Sequence, residues 1–308
     1  MGRPEGKLYP YIALCIGVLA VSTSAIFVVL SSSPAPVTAF YRLFFSVLLL
    51  LPYFLKHSLP ELRTFSRRDW LYSAVAGVFL AFHFVLWFQS LQYTSVASSV
   101  VLVTLQPLFA FAGTYLFFKE VVSWKEAACA GFAIIGSVII SWGDFTVSGL
   151  ALWGDFLALA ACAMITAYLL FGQEVRKRHS LTAYTFIVYS FCAMTILLYC
   201  LFTNIPLVPV SAGDWKWFLL LALIPTLLGH SLFNWALEWI STNTVSVFIL
   251  FEPVGAIILA YYLFGETLSI AQTAGSLLII SGILFFAAGK RNQKVPLRDE
   301  SAKKIIQG

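Results

Sequence analysis

The sequence predicts an all-α polytopic membrane protein of ten transmembrane helices, arranged as two inverted five-helix repeats. Three observations predict it. Of the 308 residues, 60% are hydrophobic and 11% charged, against about 45–50% and about 25% in soluble domains. Apolar runs of roughly 20 residues, the length that crosses a bilayer, recur along the whole chain. Residues 91–120 and 237–266 align without a gap at an offset of 146.

Cutting at charges, prolines and glycines places the spans at about 9–30, 36–55, 71–92, 95–118, 123–142, 150–171, 182–202, 215–238, 243–264 and 270–288. The first run is too long for a signal-peptide core and lacks a small-residue cleavage site, so it reads as a span. The loops are short, and no segment is large enough for a soluble domain. The five cysteines all lie in apolar runs without CxxC or metal-ligand spacing, which suits small packing residues.

Span one carries Ser22, Thr23 and Ser24, and span two carries Arg42 in AFYRLFF, roughly six residues from its outer end. An arginine there snorkels outward or pairs with an acid. A structural anchor is the expected role, with attraction of an anionic solute as the functional alternative. On span three His83, Trp87 and Ser90 follow i, i+4, i+7 spacing and share a face. Ser95, Ser99 and Gln106 lie along one side of span four, and span six adds Thr166 and Tyr168. Span eight bears Thr226, His230, Asn234 and Glu238 at every fourth position of an otherwise Leu, Phe and Trp helix. A water-accessible central cavity accounts for these together. Spans five and ten carry small residues four apart, Ala127 with Gly131 and Ala271 with Gly275, read as packing or dimer faces.

Glu252 is the costly residue. It lies about ten residues into span nine, where an ionised side chain costs at least about 2.5–3.5 kcal/mol. It must face protein or water, or be protonated. Its counterpart Gln106 has the same shape without the charge, and both precede a proline, Pro107 and Pro253. Each proline leaves the carbonyl four residues earlier without its helical donor, so both helices should break beside a polar side chain. That suits a ligand-coordinating wall. The alternative is a packing kink with Glu252 bonded internally. Glu120 and Glu266 end their spans three residues before a serine that opens the next helix. Each should tie its hairpin through backbone N–H groups there.

Lysine and arginine set the orientation. With both termini in the cytoplasm, seventeen of these cations fall on the cytoplasmic side and only Lys216 on the other, Arg42 lying within a span. The net charge of +5 then faces anionic lipid, and no nucleic-acid partner is implied. The RKRH cluster at 176–179 reads as a cytoplasmic loop. The protein belongs in the cytoplasmic membrane as a multi-pass chain.

The repeat extends to Ser141 and Ala287, with 12 of 51 positions identical, among them Pro107 with Pro253, Glu120 with Glu266 and Gly136 with Gly282. Asp69-Trp70 matches Asp214-Trp215 at an offset of 145 and His83 matches His230 at 147, so a small indel falls between them. The halves are residues 1–145 and 146–289, followed by a basic cytoplasmic tail, 290–308. Five spans is an odd number, so the second copy inserts upside down, a recurrent design of secondary transporters around a midplane site.

This pattern resembles the EamA family of the drug/metabolite transporter superfamily. The resemblance rests on the Arg-bearing second span, Gln106-Pro107 and Glu252-Pro253, the FKE and FGE span ends, and the glycines of spans five and ten. It implies ten helices with cytoplasmic ends, a central cavity lined by spans one, three, four, six, eight and nine, and export of small metabolites such as amino acids, or of toxic compounds. The cavity candidates are Thr23, His83, Trp87, Ser90, Ser99, Gln106, Tyr168, His230, Asn234 and Glu252, with Glu252, His83 and His230 as proton-coupling candidates. Arg42, Pro107, Glu120, Pro253 and Glu266 are expected to be structural. The expected function is a secondary transporter of a small amphipathic or aromatic metabolite or drug, an exporter working by alternating access. No cofactor or metal is expected; the partners are the substrate, the bilayer and a second copy in a homodimer. The rivals are a passive facilitator, a non-transporting scaffold and an intramembrane enzyme, the last weakened by the absence of HExxH, GxSxG or paired aspartates on adjacent spans.

Overall fold

A computed structural model of the chain describes residues 8–119, 123–145, 149–267 and 269–290. Helices run through nearly all of them, without a strand. In chain order they are α1 (Tyr9–Leu30), α2 (Ala35–Thr64), α3 (Arg67–Ser90), α4 (Val96–Phe118), α5 (Trp124–Phe145), α6 (Gly149–Arg176), α7 (Leu181–Phe202), α8 (Asp214–Ala236), α9 (Thr242–Phe264) and α10 (Ile270–Lys290). Eight are long and apolar enough to cross a membrane; α5 and α10 hold the shorter apolar stretches Ala127–Gly136 and Thr273–Gly282. Lipid-exposed backbone needs its own hydrogen bonds, which helices supply internally.

Local chemistry sets the helix ends and breaks. The Ser66 hydroxyl accepts from the Asp69 N–H at 3.2 Å while the Asp69 carboxylate accepts from the Ser66 N–H at 3.0 Å, a reciprocal cap that opens α3. Ser180 opens α7 with a one-way cap, accepting from the Ala183 N–H. Helix α4 breaks after Val103 and restarts at Gln106, and α9 breaks after Ile249 and restarts at Glu252, each with its proline at the start of the new helix. Proline there gives up only a donor that a helix start leaves unpaired. The breaks expected from Pro107 and Pro253 are present.

Helix α8 has a feature its counterpart α3 lacks: residues Ala222–His230 form π-helical turns, with Pro225 inside them. A widened turn accommodates an extra residue in a helix, and this one lies where the repeat alignment needs an indel. The Thr226 hydroxyl donates to the Leu221 carbonyl, five residues back, at 2.7 Å.

Packing is pairwise and crosses between the halves. Helix α3 packs on α6 and α7, α8 on α1 and α2, α2 on α7, and α5 on α10. The first half of α4 lies against the second half of α9, and the second half of α4 against the first half of α9. The two broken helices therefore cross antiparallel, and their breaks meet. The α5–α10 contact is close at Gly275, as the spacing suggested, and at Gly136 and Gly282, but not at Gly131. A Cβ on Gly136 would come within 2.6 Å of the Gly275 carbonyl oxygen, and one on Gly282 within 2.6 Å of Phe132, whereas Gly131 faces open space.

The C-termini of α4 and α9 adopt matched left-handed caps, Lys119 at φ 56° and Gly265 at φ 67°. Glu120 lies outside the described residues. The Glu266 carboxylate has no hydrogen-bond partner among them, so the expected tie to the next helix is not made through it; half-burial pushes its pKa up.

Candidate functional site

The two helix breaks meet at a cavity in the middle of the bundle. Its walls are Val21 and Ser24 of α1, His83 and Trp87 of α3, Val103 and Gln106 of α4, Ile165 and Leu169 of α6, His230 and Phe233 of α8, and Ile249 and Glu252 of α9. These are the six helices that the resemblance implied. The void gives about 20 Å³ to the centre of a water-sized sphere, room for about one water. In this conformation the cavity is too narrow for a metabolite.

Glu252 and Gln106 occupy equivalent places on the wall, each the first residue of a restarted helix. A helix start carries unpaired N–H groups and the positive end of the helix dipole, which favour a carboxylate. The Glu252 side chain is 7% exposed and its backbone carbonyl accepts from Ser22 Oγ at 3.1 Å. The same hydroxyl lies 2.9 Å from the Val18 carbonyl, and this back-bonding accompanies the interruption of α1 at Ser22–Thr23. The breaks of α1 and α9 are thus joined beside the acid.

Several polar atoms at the cavity lack partners. The Trp87 indole N–H and the Gln106 side-chain carbonyl are both buried without a hydrogen bond. His83 Nδ1 lies 3.0 Å from the Ala161 carbonyl, which can only accept, so Nδ1 carries a proton and Nε2 is an acceptor in the neutral ring. The His83 ring stacks on Trp87 at 5.7 Å, and His230 sets its edge to Phe84 at 5.5 Å. No cluster of three or more potential metal ligands occurs among the described residues.

Arg42 neither snorkels nor pairs with an acid. It is fully buried, with Nε donating to Thr226 Oγ1 at 2.7 Å and Nη1 to Ser24 Oγ at 2.8 Å. The guanidinium sits 4.1 Å over the Phe84 ring. Two hydroxyls and a ring face replace water, since α1, α3 and α8 close over it before it can reach the surface. Its Nη2 has no partner, and it makes no ion pair among the described residues. Ser24 touches both the arginine and the cavity, so a fixed positive charge stands one side chain behind the wall.

The structure gathers His83, Trp87, Gln106, His230 and Glu252 at the cavity and leaves the other candidates elsewhere. Ser90 and Ser99 bond each other at 2.5 Å, joining α3 to α4. The Asn234 amide donates to the Tyr168 hydroxyl, joining α8 to α6. Thr23 donates to the Ala20 carbonyl at 2.7 Å within α1. The lining residue that the candidate set lacked is Ser24, one position beyond Thr23. The apolar wall, from Val21 to Ile249, carries no signal in a chain that is apolar throughout.

Comparison with known proteins agrees with the architecture. The EamA-like transporter family matches residues 8–142 and again residues 152–288. An uncharacterized transporter of Archaeoglobus fulgidus is 24% identical over 278 residues, covering 90% of this chain and 95% of its own. The uncharacterized inner membrane transporter YhbE of Escherichia coli is 25% identical over 299 residues, covering 91% and 89%. A probable amino-acid metabolite efflux pump of Salmonella typhimurium is 26% identical over 195 residues, covering 60% and 65%. A solved crystal structure superposes with a TM-score of 0.71 at 17% identity over 94% of this chain and all of its own, a likeness of fold. With the family matched across both halves of an all-helical, multi-pass membrane chain, this protein belongs to the EamA-like transporter family.

Proposed function

We propose that the protein is a secondary transporter that exports a small amphipathic or aromatic metabolite, of the amino-acid kind, across the cytoplasmic membrane by alternating access. All ten helices span, both termini lie in the cytoplasm, and the halves 1–145 and 146–289 are inverted repeats rocking about the central cavity. The observation that carries this is the meeting of two broken helices, which brings Gln106 and Glu252 onto one enclosed wall beside unpaired polar atoms. A packing kink would leave those atoms satisfied by neighbours. The antiparallel crossing of α4 and α9 supports inversion, because copies inserted the same way up would cross parallel. So does the exchange of partners: α3 on α6 is matched by α8 on α1, and α3 on α7 by α8 on α2. The likeness to a probable amino-acid metabolite efflux pump of Salmonella supports the substrate class and the direction.

In this reading Glu252 is the proton carrier and Arg42 the fixed charge that draws an anionic group toward the cavity. His83, His230 and Trp87 supply the polar and aromatic wall. The test is uptake of a panel of radiolabelled aromatic amino acids and amphipathic cations into proteoliposomes, with and without an imposed pH gradient. Glu252→Gln should retain exchange at equal pH and lose acceleration by the gradient. A variant that responds to the gradient as fully as the parent would remove Glu252 from coupling, and a parent that moves none of the panel would reject the transport reading for these solutes.

A further inference from the structure

The two halves are tied together at both ends of the bundle, and at each end the tie is made by the same residue of the repeat. Asp69 opens α3 and Asp214 opens α8; the short motifs around them, SRRDW at 66–70 and SAGDW at 211–215, coincide at an offset of 145. Both carboxylates are buried, 3% and 1% exposed. Both accept from the backbone N–H of the serine three residues earlier, Ser66 at 3.0 Å and Ser211 at 3.3 Å. Each then spends its remaining acceptor capacity on the opposite half.

Asp69 takes the α6–α7 loop. Arg178 Nη2 lies 2.6 Å from its Oδ1, and His179 Nε2 lies 3.2 Å from its Oδ2. The His179 ring stacks on Phe65 at 3.7 Å, and its Nδ1 is 3.5 Å from Glu61. Glu61 also accepts from the Ser180 N–H at 2.7 Å. Of the basic cluster 176–179, expected as a cytoplasmic loop, Arg178 and His179 fold onto α3 and the end of α2, while Arg176 turns to Glu238 at the end of α8.

Asp214 takes the α1–α2 loop. The Ser32 N–H donates to its Oδ1 at 2.9 Å and the Ser33 hydroxyl to its Oδ2 at 2.6 Å, while the Val210 N–H donates to the same hydroxyl at 3.1 Å. The α6–α7 loop and the α1–α2 loop are themselves counterparts in the repeat. Helix α7 starts at the first tie, and its 22 residues carry the chain toward the second, about 33 Å away at 1.5 Å per residue.

We infer that Asp69 and Asp214 are the two gating residues of the transport cycle, each locking one mouth of the central cavity by holding the opening helix of one half to a loop of the other. This rests on the transport reading above. Both ties are made around a cavity with space for about one water. Each half-cycle then needs only one tie to release, and the other holds the far mouth shut. The ties differ in chemistry: the one at Asp69 contains an arginine, and the one at Asp214 contains only hydroxyl and backbone donors. Releasing a single tie biases the protein toward one opening; releasing both removes the bias. A merely structural role has no such sidedness.

The experiment uses full-length protein in right-side-out and inside-out membrane vesicles, with exposed Cys15 replaced by serine and a reporter cysteine introduced at Ile249 on the cavity wall. The buried native cysteines give the background without the reporter. A membrane-impermeant maleimide is added from either side. Asp69→Asn should raise labelling from the Asp69 side and lower it from the other, and Asp214→Asn should do the reverse. Loss of a charge-assisted bond at one end corresponds to a change of about tenfold in the ratio of the two labelling rates. Asp69→Glu, and Arg178→Gln or Ser33→Ala from the partner sides, guard against a variant that fails to fold: the first restores the parent ratio and the others repeat their aspartate's direction. Shifts in the same direction for both aspartates, or unchanged ratios in variants that still transport, overturn the gating inference and leave the transporter standing. A parent whose reporter is labelled from neither side and which moves no solute refutes both.

Discussion

Gly77 of α3 packs against the backbone of α7, and adding one methyl group there should separate the halves measurably. A Cβ at Gly77 would lie 2.7 Å from the Val188 carbonyl oxygen, 2.6 Å from Phe191 Cβ and 3.1 Å from the Cys192 N. None of these is the far end of a flexible side chain. Ordinary van der Waals contact needs about 3.5–4 Å, so Gly77→Ala forces α3 and α7 apart by roughly one ångström. Overpacking of this kind costs about 1–3 kcal/mol. Alanine recovers about 0.8–1 kcal/mol in helix propensity, leaving a net loss of up to about 2 kcal/mol. Gly131→Ala is the matched control: its Cβ meets nothing within 4 Å, so it keeps the propensity gain without the clash. Reversible unfolding of both variants in mixed detergent micelles measures the difference, which should reach about 1–3 kcal/mol in favour of Gly131→Ala. If Gly77→Ala is as stable as Gly131→Ala, then α3 and α7 do not touch there and the packing between the halves is misassigned.

The bond between Ser90 and Ser99, 2.5 Å long and buried, should contribute about 0.6 kcal/mol and at most about 1.7, the range for hydrogen bonds between membrane helices. Ser90→Ala and Ser99→Ala should each lose that amount, and the double variant little more than either; additive losses would show that the hydroxyls do not pair. At the helix ends, Gly265→Ala should destabilise by about 1 kcal/mol through backbone strain alone, because the space around Gly265 is open. Lys119→Gly should be neutral or stabilising at the matched cap, and a loss in the same unfolding assay would contradict the left-handed geometry.

The sequence made the breaks of α4 and α9 legible because proline acts locally: Pro107 and Pro253 remove a donor wherever the helices later pack. The cavity wall was half legible. Polarity and depth select His83, Trp87, Gln106, His230 and Glu252, but they select Ser90, Ser99, Tyr168 and Asn234 equally well, and these bond one another across helix contacts away from the cavity. Which polar residues pair and which stay open depends on neighbours far away in the chain. Arg42 shows the same limit. Its partners Ser24 and Thr226 lie 18 and 184 residues away, and both are hydroxyls, which the rule that cations pair with acids passes over. The ties at Asp69 and Asp214 were hidden because the loops 177–180 and 31–34 fold back onto the opposite half instead of reaching into solvent. The matched aspartates were visible as a repeat, but not as contacts.

The charges at the cavity are divided between the halves in a way that symmetry alone does not require. In the repeat alignment Glu252 faces Gln106, so the second half contributes the acid. Arg42 falls on Ile187 or Val188 at an offset of 145 or 146, so the first half contributes the cation. The arginine's position in turn depends on the widened turn of α8. Thr226 Oγ1 accepts from Arg42 Nε at 2.7 Å while its own hydroxyl hydrogen goes to the Leu221 carbonyl five residues back. The residue four on from Leu221 is Pro225, which has no N–H to give, so that carbonyl is free for the hydroxyl, and one residue fewer would turn Thr226 about 100° around the axis. The extra residue of α8 thus places the hydroxyl that lets a guanidinium be buried without an acid beside it. Two copies of one scaffold, made unequal by a charge in each and by the widened turn of α8, give a cavity with an acid on one wall and a cation one side chain behind another.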